Sequence, residues 1–149
     1  MKLILALIIM AASLIVCRSQ TVAGEILAPV HKGRTARATV TLDIPPELHT
    51  NSHRPLDRNL IPTDVTITAL GLRVSRIKYP AGHNRNFAFA SRPLNVYQGK
   101  VVFSFQITVP RGFRGKEIRV DAAVRYQACT EEVCYPPKTK TVTLIAAVR

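Results

Sequence analysis

Acidic residues are scarce in this chain. Nine Asp and Glu face 21 Lys and Arg, for a formal net charge of +12 over 149 residues. Cysteine is scarcer still, at three. No apolar run reaches the roughly 20 residues that a membrane-spanning helix needs. The nearest, Leu3 to Val16, is broken by Ser13 and falls short of that length, which makes a retained membrane anchor the weaker reading. Internal repeats and low-complexity tracts are missing, which excludes solenoids and disordered tails. No Ser-His-Asp pattern, phosphate loop or carboxylate pair appears, which removes the common hydrolase and nucleotide-binding classes. What remains is 47% hydrophobic, enough for a folded core, at a length that suits one domain.

Met1-Lys2 followed by the Leu3–Val16 run describes a secretory signal peptide, with a cleavage point after Ser19. Leu14-Ile15-Val16-Cys17 also resembles a lipoprotein signal, in which Cys17 becomes a lipidated N-terminus. Val16 departs from the small residue expected just before that cysteine. The expected organisation is therefore a signal peptide over 1–19 and one domain over 20–149. Removing 1–19 takes away Lys2 and Arg18 and leaves 130 residues with a net charge of +10. Outside the cytoplasm such a surface suits anionic lipid headgroups, acidic partner proteins or simple solubility, and nucleic acid is not an expected partner. Cleavage also leaves Cys129 and Cys134 as an even pair, which in an oxidising compartment is expected to be a disulfide.

The pattern along the chain is β. Ala36–Ile44 alternates with period two and ends at Pro45-Pro46. Thr63–Leu70 places Val65, Ile67 and Ala69 on one face, and Leu72–Tyr79 is expected to follow as another strand. Lys100–Val109 is the strongest, with Val101, Phe103, Phe105, Ile107 and Val109 on one face. Glu117–Ala128 and Thr139–Val148 complete six or seven strands, with no amphipathic helix. Short strands separated by turn signals predict an all-β, immunoglobulin-like antiparallel β-sandwich. Pro45–Pro62 and Pro80–Gly99 read as long irregular stretches, and one or both should lie near the chemistry.

Tyr126-Gln-Ala-Cys129-Thr-Glu-Glu-Val-Cys134-Tyr-Pro-Pro137 is the most informative segment. The pair brackets a hairpin tip, and a bond is feasible if the Cα atoms approach to about 5.5–6 Å. Closing a loop this short removes only about 2 kcal/mol of unfolded-state freedom, so a staple here is inefficient. Spacing alone leaves redox function, a structural disulfide and metal binding all open. Glu131 and Glu132 disfavour a thiolate, while Arg125, Lys138 and Lys140 are near enough in sequence to offset them.

Tyr126-Gln-Ala-Cys129 and Cys134-Tyr-Pro-Pro-Lys-Thr-Lys-Thr-Val142 resemble the N-terminal domain of the DsbD family of thiol–disulfide interchange proteins. His49-Thr-Asn-Ser52, Pro55-Leu-Asp57, Leu60-Ile-Pro62, Tyr79-Pro80, Pro93-Leu94 and Val96-Tyr97-Gln-Gly99 fit the same family in the same order. The likeness covers roughly Ala28 to Ala147. It implies an immunoglobulin-like periplasmic domain working as a protein-disulfide reductase component, with no cofactor. Cys129 and Cys134 would be its redox pair. Electrons would come from a DsbD-like membrane domain by way of a thioredoxin-like domain, and pass on to disulfide isomerases or cytochrome c maturation proteins. An aromatic cap in the family corresponds here to Phe87 or Phe89. The cysteine spacing is one residue shorter than in the family's best-known member. Cys134 is the expected point of attack, because Tyr135-Pro136-Pro137 would hold it at the surface.

The remaining candidates are few. His49 and His53 could join the two cysteines in a zinc or copper(I) site, or be ordinary loop histidines. His83 reads as a turn residue. Phe103 and Phe105 read as core, as does Tyr126, although Tyr126 and Tyr135 flank the cysteines and are also docking candidates. Arg111, Arg114 and Lys116 read as a solvated basic turn. The competing functions are a non-catalytic interaction module with an inert disulfide and a metal-binding periplasmic protein.

Overall fold

The structure, a computed structural model, describes residues 19–149. The signal-peptide segment up to Arg18 and the lipidation candidate Cys17 lie outside the described residues. Eleven strands follow in order: β1 (Thr21–Ile26), β2 (Thr35–Ile44), β3 (His49–Asn51), β4 (Asp64–Thr68), β5 (Arg73–Val74), β6 (His83–Arg85), β7 (Leu94–Tyr97), β8 (Gly99–Thr108), β9 (Glu117–Tyr126), β10 (Ala128–Cys129) and β11 (Lys138–Ala147). Every pairing between them is antiparallel, and no helix occurs among the described residues. The all-β antiparallel sandwich expected from the alternating runs is present.

The long strands form because their apolar residues recur every second position. β2 buries Ala36, Ala38, Val40, Leu42 and Ile44. β8 buries Val101, Phe103, Phe105 and Ile107, and β9 buries Ile118, Val120, Ala122, Val124 and Tyr126. Alternate residues point to opposite faces of a sheet, so each strand presents one apolar face. The sheet β1-β2-β8-β5 and the sheet β11-β9-β4 bring those faces together in one core. β1 also closes against β11 at the sandwich edge. Gly24 allows that approach, since a Cβ there would stand 2.8 Å from the Leu144 Cδ1 atom.

Two expectations need correction. The strand expected over Leu72–Tyr79 shrinks to Arg73–Val74, followed by a single bridge from Lys78 to Ser104. The Ser75 N–H still donates to Gln106 O at 2.9 Å, but the Gln106 N–H goes to the Ser75 hydroxyl at 2.9 Å, so a side chain takes the place of one of the two backbone bonds that would have continued the ladder. The stretches Pro45–Pro62 and Pro80–Gly99 are not wholly irregular. They contain β3, β6 and β7, which join β10 in a third sheet of order β10-β3-β7-β6. Gln98 alone separates β7 from β8, and Gly99 at φ 62° turns the chain from this small sheet back into the sandwich.

Candidate functional site

The site is built where β9 stops. Tyr126 still pairs with Lys138 of β11. Two residues later the chain has changed sheets, and Ala128 and Cys129 of β10 pair with Thr50 and His49 of β3. The hairpin tip therefore belongs to the small sheet, not to the sandwich that carries it.

Cys129 and Cys134 are disulfide-bonded, with Cα atoms 4.0 Å apart. That is closer than the separation expected from the sequence. The reason lies in the ladder, for the two cysteines face one another as an isolated antiparallel bridge. A backbone bond on either side brackets them, from Thr130 N–H to Val133 O at 2.8 Å and from Tyr135 N–H to Ala128 O at 2.9 Å. Residues opposite each other between such bonds are the close-approaching kind of antiparallel pair. Thr130 Oγ1 also accepts the N–H groups of Glu132 and Val133, which holds the loop tip. Cys129 is buried at 1% exposure, whereas Cys134 is exposed.

Beside Cys129 lies a ring stack. His49, its ladder partner, is 2% exposed and stacks on Phe87 with centroids 4.3 Å apart. Phe87 is itself buried and stacks on Phe89 at 5.4 Å, and Phe89 is half exposed. Arg85 lies 5.1 Å over the Phe87 ring and pairs with Glu131 at 3.1 Å. The segment Arg85–Phe89 thus touches both the strand opposite Cys129 and the loop between the cysteines. The cation that reaches Glu131 comes from 46 residues away, not from the sequence neighbours Arg125, Lys138 or Lys140. Lys140 instead bonds Ser19.

Burial lowers the proton affinity of His49 below the ordinary imidazole value; Glu131 opposes the shift and Arg85 adds to it. Its Nε2 atom is buried without a hydrogen-bond partner among the described residues. His53 is elsewhere, stacked flat on Tyr79 at 3.5 Å and near Asp64. The two histidines do not converge, and no group of three His, Cys, Asp or Glu arranged to hold a metal occurs among the described residues. His83 opens β6 and is not a turn residue.

Tyr126 is fully buried, which places it in the core. It forms the floor of a cavity of about 320 Å³ whose wall includes Ala128, Thr130, Tyr135, Pro136 and Lys138. Tyr135 is 45% exposed at the rim, next to Cys134. Phe103 and Phe105 lie in the core, and Arg111, Arg114 and Lys116 are exposed. Sequence reading missed the pairing of His49 with Cys129 and of Arg85 with Glu131. Neither has a local signal, because each joins segments that meet only through the small sheet.

Among known proteins, the chain is 30% identical over 82 residues to "Thiol:disulfide interchange protein DsbD" of Actinobacillus pleuropneumoniae serotype 5b (strain L20), covering 54% of this chain and 13% of that protein. The chain thus spans a small part of its curated relative. Among solved structures it is similar to the periplasmic chaperone SfaE, at 10% identity and a TM-score of 0.36, covering 87% of this chain and 57% of the other. It is also similar to ACE19, the collagen-binding subdomain of the Enterococcus faecalis surface protein ACE, at 7% identity and a TM-score of 0.41, covering 86% and 95%. Those two likenesses are too loose to carry an argument. The sequence over residues 18–146 matches the family described as "Thiol:disulfide interchange protein DsbD, N-terminal", and the chain, with its disulfide at the sheet-switching hairpin tip, belongs to that family.

Proposed function

We propose that this is a periplasmic thiol–disulfide exchange domain that passes two electrons between partner proteins through Cys129 and Cys134. The observation that carries the reading is the unequal exposure of the two cysteines across one bond. Exchange proceeds by thiolate attack on one sulfur, and its rate depends on access and on which sulfur is attacked. A partner thiolate attacks Cys134 Sγ, and the electron pair of the S–S bond goes to Cys129 Sγ. A mixed disulfide between the partner and Cys134 results. The partner's second thiol then attacks the partner sulfur and releases Cys134. Run in reverse, the same steps reduce a downstream protein.

The partners would be thioredoxin-like periplasmic proteins or a DsbD-like membrane donor. The cavity beside Tyr135 would seat the partner residue next to its nucleophilic cysteine. Phe87 and Phe89 would form the cap that limits access. A signal peptide over 1–19 would deliver the domain to the periplasm, or Cys17 would tether it by a lipid. The basic surface would then lie close to anionic headgroups.

The alternative is an inert disulfide in an interaction module. Equilibration in glutathione buffers with trapping of free thiols separates the two. A midpoint above about −250 mV is expected for exchange, whereas resistance to reduction below about −300 mV means a staple and overturns the proposal.

A further inference from the structure

His49 is a buried, titratable group that the exchange steps above leave without a task. Its ladder partner is Cys129. Residues directly opposite in an antiparallel pair send their side chains to the same face, with Cβ atoms about 4.5–5.5 Å apart. Both residues are almost fully buried, so little water reaches the space between them. Cys129 is also the sulfur that must carry the charge when the bond opens, because attack falls on exposed Cys134. A thiolate formed in that apolar place is costly unless something donates to it. The His49 ring offers Nε2, which has no partner among the described residues.

We propose, building on the exchange reading, that the His49 imidazole is the group that donates a hydrogen bond to the nascent Cys129 thiolate and delivers a proton to it. The electron and proton balance closes. The attacking thiol loses its proton on ionising. Its thiolate bonds to Cys134 Sγ, the S–S bond breaks, and the electron pair moves to Cys129 Sγ. The imidazole takes up one proton and passes it to that sulfur, ending as it began. When the partner's second thiol resolves the mixed disulfide, Cys134 leaves as a thiolate and is protonated from solvent. Two electrons and two protons have then moved from the partner dithiol to this domain.

The surroundings suit a proton carrier. Glu131, in the loop between the cysteines, favours the protonated ring, and Arg85 of β6 opposes it while pairing with Glu131. Glu47 and Glu132 stand with His49 and Glu131 around a shallow cavity that opens toward solvent and gives protons a way in. Phe87 covers the ring's face. Burial keeps the resting imidazole neutral at pH 7, free to accept.

The test uses the intact chain with His49→Phe, which keeps a flat ring for Phe87 to stack on, and His49→Gln, which keeps a neutral donor. Reduction of the disulfide by dithiothreitol and by a reduced thioredoxin is followed from about pH 5 to about pH 9, a range that spans the imidazole titration. H49F should be slower near neutral pH by about tenfold or more, the low end for losing a hydrogen bond to a charged group. H49Q should recover part of that rate while losing the wild-type inflection on the acid side. Wild-type rate and pH profile in both variants would overturn the proposal. So would faster reduction of H49F, which would mean that His49 merely holds Phe87 over the site. A wild-type chain opened by dithiothreitol but not by thioredoxin would sink the exchange function, while the dithiothreitol comparison would still judge His49.

Discussion

Replacing Cys129 with serine leaves the exposed thiol of Cys134 free to form a mixed disulfide, while replacing Cys134 leaves only the buried one. Against a thioredoxin-like protein whose second cysteine is serine and whose remaining cysteine is activated as a thionitrobenzoate mixed disulfide, C129S should displace thionitrobenzoate and accumulate the protein–protein mixed disulfide on a non-reducing gel. C134S should accumulate about tenfold less, because exchange follows access to the sulfur. Equal yields would show that burial does not choose the point of attack. His49 carries a second prediction at this scale. Its proton affinity is lowered by burial, so the unfolded chain binds that proton more tightly than the folded one. Above about pH 6.5 both states are neutral and the group contributes nothing to pH dependence. As pH falls below that value the unfolded state protonates first, so stability is lost. The urea midpoint should therefore drop between about pH 6.5 and pH 5 in the wild type, and less steeply in His49→Phe.

The strands and the segment Arg85–Phe89 place Phe87 against His49 and Arg85 against Glu131. Phe87→Ala removes a buried ring and should cost about 3–5 kcal/mol of stability while speeding reduction by dithiothreitol. Arg85→Ala breaks a pair whose side chains are 36% and 62% exposed. Its stability cost should stay below about 1 kcal/mol, yet reduction should speed up if the segment Arg85–Phe89 shields the bond, because the loop between the cysteines loses its tie to that segment. An unchanged rate in both variants would mean that the segment does not shield the bond. Legibility from sequence differed sharply among these elements. β2, β8 and β9 each run ten residues with period-two burial, so they could be read directly. β3 and β6 are three residues long and β7 is four, too short for any alternation to register. His49-Thr-Asn51 is buried at every position, so it lacks even the half-polar signature of a strand.

Over the whole molecule, the disulfide lies apart from the packing that holds the fold. The core runs through Phe103, Val120, Leu42 and Tyr126, between the two larger sheets. Reduction should therefore lower unfolding stability by only about 2 kcal/mol, the chain-entropy value for so short a loop. Far-ultraviolet circular dichroism of the reduced chain should remain that of a folded β protein. Collapse of that spectrum on reduction would make the bond a staple. The sequence by itself determined the sandwich, because period-two apolar strands have one face to bury and only another such face to bury it against. It also marked Cys129 and Cys134 as the pair of interest, because their neighbours are contiguous in the chain. Only the tertiary structure decided which cysteine is covered and what stands beside it. β10 leaves its hairpin and joins β3, which brings His49 to Cys129 and Arg85 to Glu131. Contacts between residues so far apart depend on strand register across a small sheet, and no local pattern encodes that register.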